Sequence, residues 1–566
     1  MFKTIVHDLS RELVNRSHRR KRKTTMSFVG LILLLIAVEI PGSFQHDRSH
    51  TKFRRPEVSQ TAGNPWPMPL SYHTQGTFSY VDDAEFKFRN VNEGSSCSIL
   101  QEAYNRYFPL IFGRRPETLF FKSSFKAPTD AMAELMVKLE KPCMDNDYPM
   151  LESDESYTLN VNGNQAMLSA SEIWGVLRGL ETFSQIVYQS NDGGFVVNNT
   201  QIVDKPRFNH RGMLLDTSRH FISVPILMTN LDALAQNKFN VFHWHIVDDP
   251  SFPFESSTFP DLSQQGAYDP ETHVYTQTDI KNIIEYARMR GIRVVPEFDS
   301  PGHTSSWGYG QPDLLTKCYT GSKPNGQFGP VNPVPNSTYV FLKSFFTEIG
   351  QLFPDHYMHL GGDEVSFACW QTNPEITSFM KKMGYTSYSQ VEEYYMQNLL
   401  DIVGGLGKGY QIWQEVIDNG AKVRADTVIE VWKAGWQAEM EKVTKLGYKT
   451  LLSTCWYLSR ISYGSDWMAY YACEPFNFNG TDAQKELIQG GETCMWGEYV
   501  DGTNVISRLW PRASAVGERL WSAKEINSGA LAQPRLAEHR CRMVRRGFQA
   551  EPITGPGFCR EEFGDV

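Results

Sequence analysis

The chain has 566 residues, of which 41% are hydrophobic, 21% charged and 13% aromatic. That profile excludes a disordered tail, a fibre and a small disulfide-stapled scaffold, and the length favours more than one domain. With 55 basic against 64 acidic residues the formal net charge is −9, so there is no basic footprint for nucleic acid.

A charge-poor apolar run occurs once, at 28–38 (FVGLILLLIAV), behind the basic stretch 18–23 (HRRKRK). It is too short to span a bilayer comfortably and fits the core of a secretory signal. Residues 1–45 are therefore expected to be a cleaved signal peptide with a long basic n-region. Translation from Met26 and an uncleaved signal anchor are the alternatives, and a membrane becomes a partner only in the second. Residues 46–65 are polar and Pro-containing, as in a linker. Residues 66–205 mix strands with helices: Tyr157, Leu159 and Val161 alternate up to a hairpin turn at Asn162-Gly163. Ser171 then caps a helix carrying Ile173, Val176, Leu177, Leu180 and Phe183 at helical spacing. This segment reads as a small α+β domain.

Beyond Pro206 short apolar runs recur at 211–216, 240–247, 293–298, 357–360, 410–414, 428–432, 450–454 and 493–496. Helical stretches such as 278–289 separate them. Eight buried, continuous runs of this kind predict a (β/α)8 TIM barrel over 206–566, with a C-terminal extension. A doubly wound sheet is the alternative, but no GxGxxG opens a helix after a strand. The fold class is therefore α/β, a barrel preceded by an α+β domain.

Nine cysteines suit an oxidising compartment. Cys97 and Cys143, Cys318 and Cys369, and Cys541 and Cys559 each bracket modest loops and are expected as disulfides. Cys455, Cys473 and Cys494 are left over, and the odd total requires a free thiol or an intermolecular bridge. No CxxC occurs, which weakens a zinc or thioredoxin reading. Behind a signal peptide the sequons at Asn198, Asn336 and Asn479 become credible glycan sites.

The active site of such a barrel is built where strands exit into loops. The exits here carry Arg219; Asp248; Glu297, Asp299 and His303; Gly361-Gly362-Asp363-Glu364; Trp413 and Glu415; Trp432; Trp456-Tyr457; and Trp496-Gly497-Glu498. Trp413, Trp432 and Trp496 suggest walls for a pyranose, whose C–H faces stack on indole. Arg219 offers a rigid donor fork, while Asp248 and Glu498 accept hydrogen bonds from hydroxyls. Asp363 and Glu364 are neighbours, a poor arrangement for attacking opposite faces of a sugar. They suit two nearby substrate atoms instead, the leaving oxygen and a substituent at C2. That favours a substrate carrying its own acetamido nucleophile.

The stretches RGMLLDTSRH, FHWHIVDDPSFP, RVVPEFDSPGHT, HLGGDEV, STCWYLSRISYG and CMWGEYVD resemble the glycoside hydrolase family 20 β-N-acetylhexosaminidases, especially lysosomal hexosaminidase subunits. The likeness runs from about residue 66 to the C-terminus. It implies substrate-assisted, retaining removal of terminal β-linked GlcNAc or GalNAc, the known exception to two-carboxylate glycosidase chemistry. Glu364 is then the general acid and base, Asp363 orients the acetamido N–H, and Tyr457 holds the acetamide oxygen. Arg219 and Glu498 grip the 3- and 4-hydroxyls, and Asp248 and His303 form a relay that tunes Glu364. Trp413, Trp432 and Trp496 form the pocket walls. No cofactor or metal is expected, with His243 and His245 as core or supporting groups. The resemblance further implies a lysosomal or secreted protein and a homo- or heterodimer. Ser459-Arg460 lies closer to the Asn-Arg of α-type subunits than to the Asp-Leu of β-type ones, and Gly321-Ser322-Lys323-Pro324 is likewise α-like. Arg460 is thus expected to favour an anionic group near the sugar 6-position. Gly435-Trp436-Gln437 departs from the α-type segment associated with glycolipid activators. The same chemistry on secreted chitin fragments or N-glycans is one alternative, and a non-catalytic glycan-binding barrel is another.

Overall fold

The computed structural model of the chain describes residues 62–91, 97–113, 125–190 and 192–559. The expected signal segment, and the linker up to residue 61, lie outside the described residues. No described helix is long and apolar enough to cross a membrane.

Seven strands between Ser71 and Asp204 form a mixed sheet, its central hairpin pairing Tyr157–Asn162 with Gln165–Ala170. Gly163 supplies the left-handed turn residue (φ +58°) that an Asn-Gly hairpin needs. Helix Ile173–Ile186 packs on this sheet beside helix Ser98–Phe112 and is buried along its whole length. It is covered on both sides because its outer face meets the barrel, where Gly291 leaves room for Trp174 and Leu177. Glu172, not Ser171, is its N-cap, and no side chain caps it. Ser171 instead uses its carbonyl to accept the Lys141 amide, while the Glu172 carboxylate binds Lys141 Nζ and the Asp154 amide.

Eight parallel strands then close a barrel: β1 His210–Asp216, β2 Val241–Val247, β3 Arg293–Phe298, β4 Tyr357–His359, β5 Gly409–Trp413, β6 Val428–Val431, β7 Lys449–Leu452 and β8 Ile488–Met495. Closure rules out the doubly wound alternative. Strands β1 to β3 are buried at every position, which explains why they are rich in apolar residues and show no in–out alternation. Only the second half of β8 is visible as an apolar run, because Gly490-Gly491 interrupts its first half. A Cβ on Gly490 would lie 1.8 Å from the His210 carbonyl, and one on Gly491 2.2 Å from that of Leu452. Helix Gln277–Arg288, between β2 and β3, starts at a Thr276/Asp279 capping box.

The sheet and barrel share a charged, buried seam. Glu155 accepts Arg178 Nε at 2.7 Å and Arg211 Nη2 at 2.5 Å, and Arg178 also donates to the Gly291 carbonyl. Beside them Lys238 Nζ reaches Asp204 at 2.9 Å and the Tyr157 hydroxyl at 3.0 Å. Packing extends into the stretch read as linker, since Glu538 accepts the amides of Ala62, Gly63 and Asn64.

The three expected disulfides are present, with Cα–Cα distances of 5.8, 4.5 and 5.3 Å. A fourth, Cys455–Cys473, joins two of the three leftover cysteines. Cys494 is the free thiol, and its burial in β8 removes it from any intermolecular bridge. Asn336 and Asn479 are exposed, whereas Asn198 is half-buried with its carbonyl on the Tyr188 hydroxyl.

Candidate active site

The C-terminal ends of the strands enclose a cavity of about 430 Å³, lined by carboxylates, imidazoles, arginines and aromatic rings from seven of the eight exits. Arg219 is anchored just after β1. Its Nη1 lies 3.0 Å from Asp216 and its Nη2 2.8 Å from Asp248, while its guanidinium carbon sits 5.2 Å from the centre of a Trp496 ring. Burial opposes its charge, but Asp216, Asp248 and Glu498 overcome this and raise its pKa.

The Gly361-Gly362 pair turns the chain out of β4 so that Asp363 and Glu364 enter the cavity. Both glycines have left-handed φ, +67° and +98°. A Cβ on Gly361 would lie 1.7 Å from Asp299 Oδ1, and one on Gly362 2.4 Å from Val416. The Gly362 amide instead donates to Asp299 Oδ1 at 2.8 Å. Glu364 itself adopts φ +51° and His303 φ +54°, strained conformations for residues with a Cβ that concentrate at functional sites. Asp363 is buried and Glu364 exposed, yet both face the same imidazole: His303 Nε2 lies 3.8 Å from Asp363 and 3.9 Å from Glu364. His303 Nδ1 is 3.2 Å from Asp248. Burial disfavours the imidazolium, but the Asp248 hydrogen bond, with Asp299 and Asp363 nearby, pushes the His303 pKa up to about 10. Asp248 is held below the usual carboxylate range: burial opposes this, and His245, His303 and Arg219 outweigh it.

Tyr457 leaves β7 through the single turn Thr454–Trp456 and bridges to Cys494 of β8. Burial, with Cys494, Glu430 and Asp363 adding to it, drives its phenol well above the ordinary range, so it remains a donor. Its ring lies between Trp432, 6.0 Å away and nearly parallel, and Trp496, 6.5 Å away. Trp432 is set by an indole hydrogen bond to Glu415 at 2.9 Å. Trp413, expected as a wall, lies beneath the lining as its floor. It is 1% exposed, touches both other tryptophans and donates its indole N–H to Glu297 at 2.9 Å. Glu498 lines the cavity after β8, and Arg460 faces it from 5.2 Å off the Tyr457 ring, without an ion pair to any described residue.

Several lining residues were given no role from the sequence. Asp299 is buried against Asp363, and burial together with that neighbour pushes its carboxyl well above the ordinary range. Its place two residues after Glu297 in the motif EFDSPGH was the available signal. Arg508 and Tyr499 reach the rim from the segment after β8, where no local pattern marks them. His243 and His245 are buried, as expected. His245 Nε2 is 2.8 Å from Asp248, and His243 Nδ1 is 2.7 Å from Glu492. Ligand-type atoms cluster at His243, Glu297 and His359 and at Asp248, Asp249 and His303. Imidazole–carboxylate pairs run through both, His243 and His359 with Glu297, and His303 with Asp248.

Comparison with known proteins agrees with this geometry. The sequence profile described as "Glycosyl hydrolase family 20, catalytic domain" matches residues 208–524, and "beta-acetyl hexosaminidase like" matches residues 65–186. Beta-hexosaminidase subunit alpha of Rattus norvegicus is 51% identical over 510 residues, covering 89% of this chain and 96% of that protein. Beta-hexosaminidase subunit beta of Homo sapiens is 50% identical over 521 residues, covering 90% and 92%. A solved chitobiase of Flavobacterium johnsoniae superposes with a TM-score of 0.74 at 32% identity, over 86% of this chain and 73% of that one. On the profile match and these relatives, the chain belongs to glycosyl hydrolase family 20, among its β-hexosaminidases.

Proposed function

We propose that the cavity holds a terminal β-linked GlcNAc or GalNAc and releases it with retained configuration through the sugar's own acetamide. The observation that carries this is the placement of Asp363 and Glu364 on one side of the cavity, both within 4 Å of His303 Nε2. Carboxylates so placed cannot flank the sugar as acid and opposing nucleophile. Glu364 protonates the glycosidic oxygen and later takes a proton from water. Asp363 receives the acetamido N–H and balances the charge of the cyclised intermediate. Tyr457 donates to the acetamide oxygen and holds it at the anomeric carbon. Arg219 and Glu498 hold the ring hydroxyls, Trp432 and Trp496 stack on the sugar, and Trp413 supports them from below. Asp248 and His303 present a cation that steadies Glu364 once it has given up its proton.

Arg460, exposed on the rim and free of ion pairs to described residues, selects an anionic substituent near the 6-position. The relatives are named as subunits, which supports a homo- or heterodimer, and a lysosomal or secreted location fits the four disulfides.

Glu364→Gln keeps the shape and removes the transferable proton, worth roughly 10²–10⁴ in rate. The loss should be large on a natural disaccharide and much smaller on an aglycone that leaves without protonation. Full activity of this variant on the disaccharide would overturn the assignment.

A further inference from the structure

Inside the barrel, below the cavity, one carboxylate ties together parts of the site that come from different strands. Glu297 of β3 is fully buried. Its Oε1 accepts the Trp413 indole N–H at 2.9 Å, and its Oε2 accepts His245 Nδ1 at 2.6 Å. His245 passes the contact on, with Nε2 2.8 Å from Asp248 Oδ2, and Asp248 Oδ1 is 3.2 Å from His303 Nδ1. On the other side, His243 Nε2 lies 3.1 Å from Glu297 Oε2, outside hydrogen-bond alignment, and His359 Nδ1 lies 3.0 Å from Oε1.

The structure assigns Glu297 as a positioning residue for the reaction, one that holds the sugar's indole floor and the His245–Asp248–His303 line to Glu364 in a single register. This rests on the reading of Glu364 as the acid.

Charge alternates along the line. Burial opposes ionisation of Glu297, but His245, His359 and His243 hold its carboxyl well below the usual range. Burial likewise opposes the His245 imidazolium, which Glu297 and Asp248 nevertheless push up to about 10. Glu430, Asp299 and Cys494 also face this carboxylate, and burial drives all three well above their ordinary ranges. An ion whose own partner is fixed from behind keeps its geometry. Asp248 is fixed from behind by His245, and His245 by Glu297.

Removing the charge of Glu297 with its shape retained therefore acts at two places that can be read separately. In Glu297→Gln, kcat/KM on a natural disaccharide should fall 10- to 100-fold, and on an activated aryl glycoside only a few-fold. His245→Gln, which cuts only the line to Asp248, should reproduce that selective loss. Trp413→Phe, which cuts only the floor, should raise KM on both substrates and leave their ratio unchanged. A loss of fold or a general loosening does not distinguish leaving groups. An equal loss on both substrates in Glu297→Gln, or no loss, would overturn the assignment. If Glu297→Gln does not fold, His245→Gln decides by the same criterion. Failure of both to fold would make the network a folding element and overturn the proposal. Glu364→Gln, measured alongside, separates the two readings: if it shows no dependence on the leaving group, the acid itself is misassigned.

Discussion

Replacing Gly361 by alanine places a methyl group 1.7 Å from Asp299 Oδ1, in a backbone conformation (φ +67°) that a side chain disfavours by about 1–2 kcal/mol. Ordinary contact begins at 3.4 Å, so the turn or Asp299 must move by about 1.7 Å. Asp299 cannot yield freely, because it accepts the Gly362 amide and abuts Asp363, and the Gly361 carbonyl accepts the Trp413 amide. The displacement therefore reaches Asp363 and Glu364. A misplacement of about 1 Å at a reacting group costs on the order of 10² in rate. We expect kcat/KM of Gly361→Ala on a β-GlcNAc glycoside to fall at least 100-fold in a folded protein. Gly407 is the control: it is also left-handed (φ +77°), but it is exposed and has nothing within 4 Å of its Cβ position. Gly407→Ala should carry the conformational cost in its melting temperature and keep its activity. Steady-state kinetics and thermal melts of the pair decide the matter. A Gly361→Ala enzyme within a few-fold of wild type would refute the view that this turn sets the carboxylates.

Removing the Cys455–Cys473 bridge by a double Ser substitution opens a loop of 18 residues, worth about 3 kcal/mol in a chain-entropy account. Because Tyr457 lies two residues past Cys455, the melting temperature should drop and KM rise together; a rise in neither would detach the bridge from the site. Arg460→Leu should lower the ratio of kcat/KM on 6-sulfated over neutral β-GlcNAc substrates about 10-fold or more, since a charge-assisted contact contributes about 1.5–3 kcal/mol. An unchanged ratio would remove Arg460 from specificity. His303 binds its proton up to about pH 10 when folded but only to about 6.5 when unfolded, so its contribution to stability is complete below about 6.5. That contribution is lost as pH rises towards 10, at up to about 1.4 kcal/mol per pH unit in the window. Melting temperature should therefore decline with pH across it, and His303→Asn should flatten the decline.

The barrel was legible because strands covered on both faces are rich in apolar residues and lack in–out alternation, and β1 to β3 are so covered. Where backbone packing replaced side-chain packing, at Gly490-Gly491, the strand start was invisible. The carboxylate pair was legible because a glycine pair preceded it at a strand exit. The role of Trp413 was not: at the end of β5 its indole points inwards and down to Glu297, whereas Trp432 and Trp496, each one residue past its strand, open into the cavity. Sequence position distinguishes these by a single residue. Arg508 reaches the rim from a short helix whose docking depends on tertiary contacts, so no local pattern announces it. Ser171 does not cap the helix because it lies one residue before the N-cap, which is Glu172.

The buried charges between the sheet and the barrel bear on how the chain can be divided. Separating the two would leave Arg211 and Lys238 on the barrel without Glu155 and Asp204, and Arg178 on the sheet side without the Gly291 carbonyl. Stranding a paired, buried charge costs about 3–5 kcal/mol, so the halves should melt in one calorimetric transition. A protease cutting between them would release pieces that do not persist, and a barrel expressed alone would need those arginine and lysine positions redesigned before it could stand as a domain.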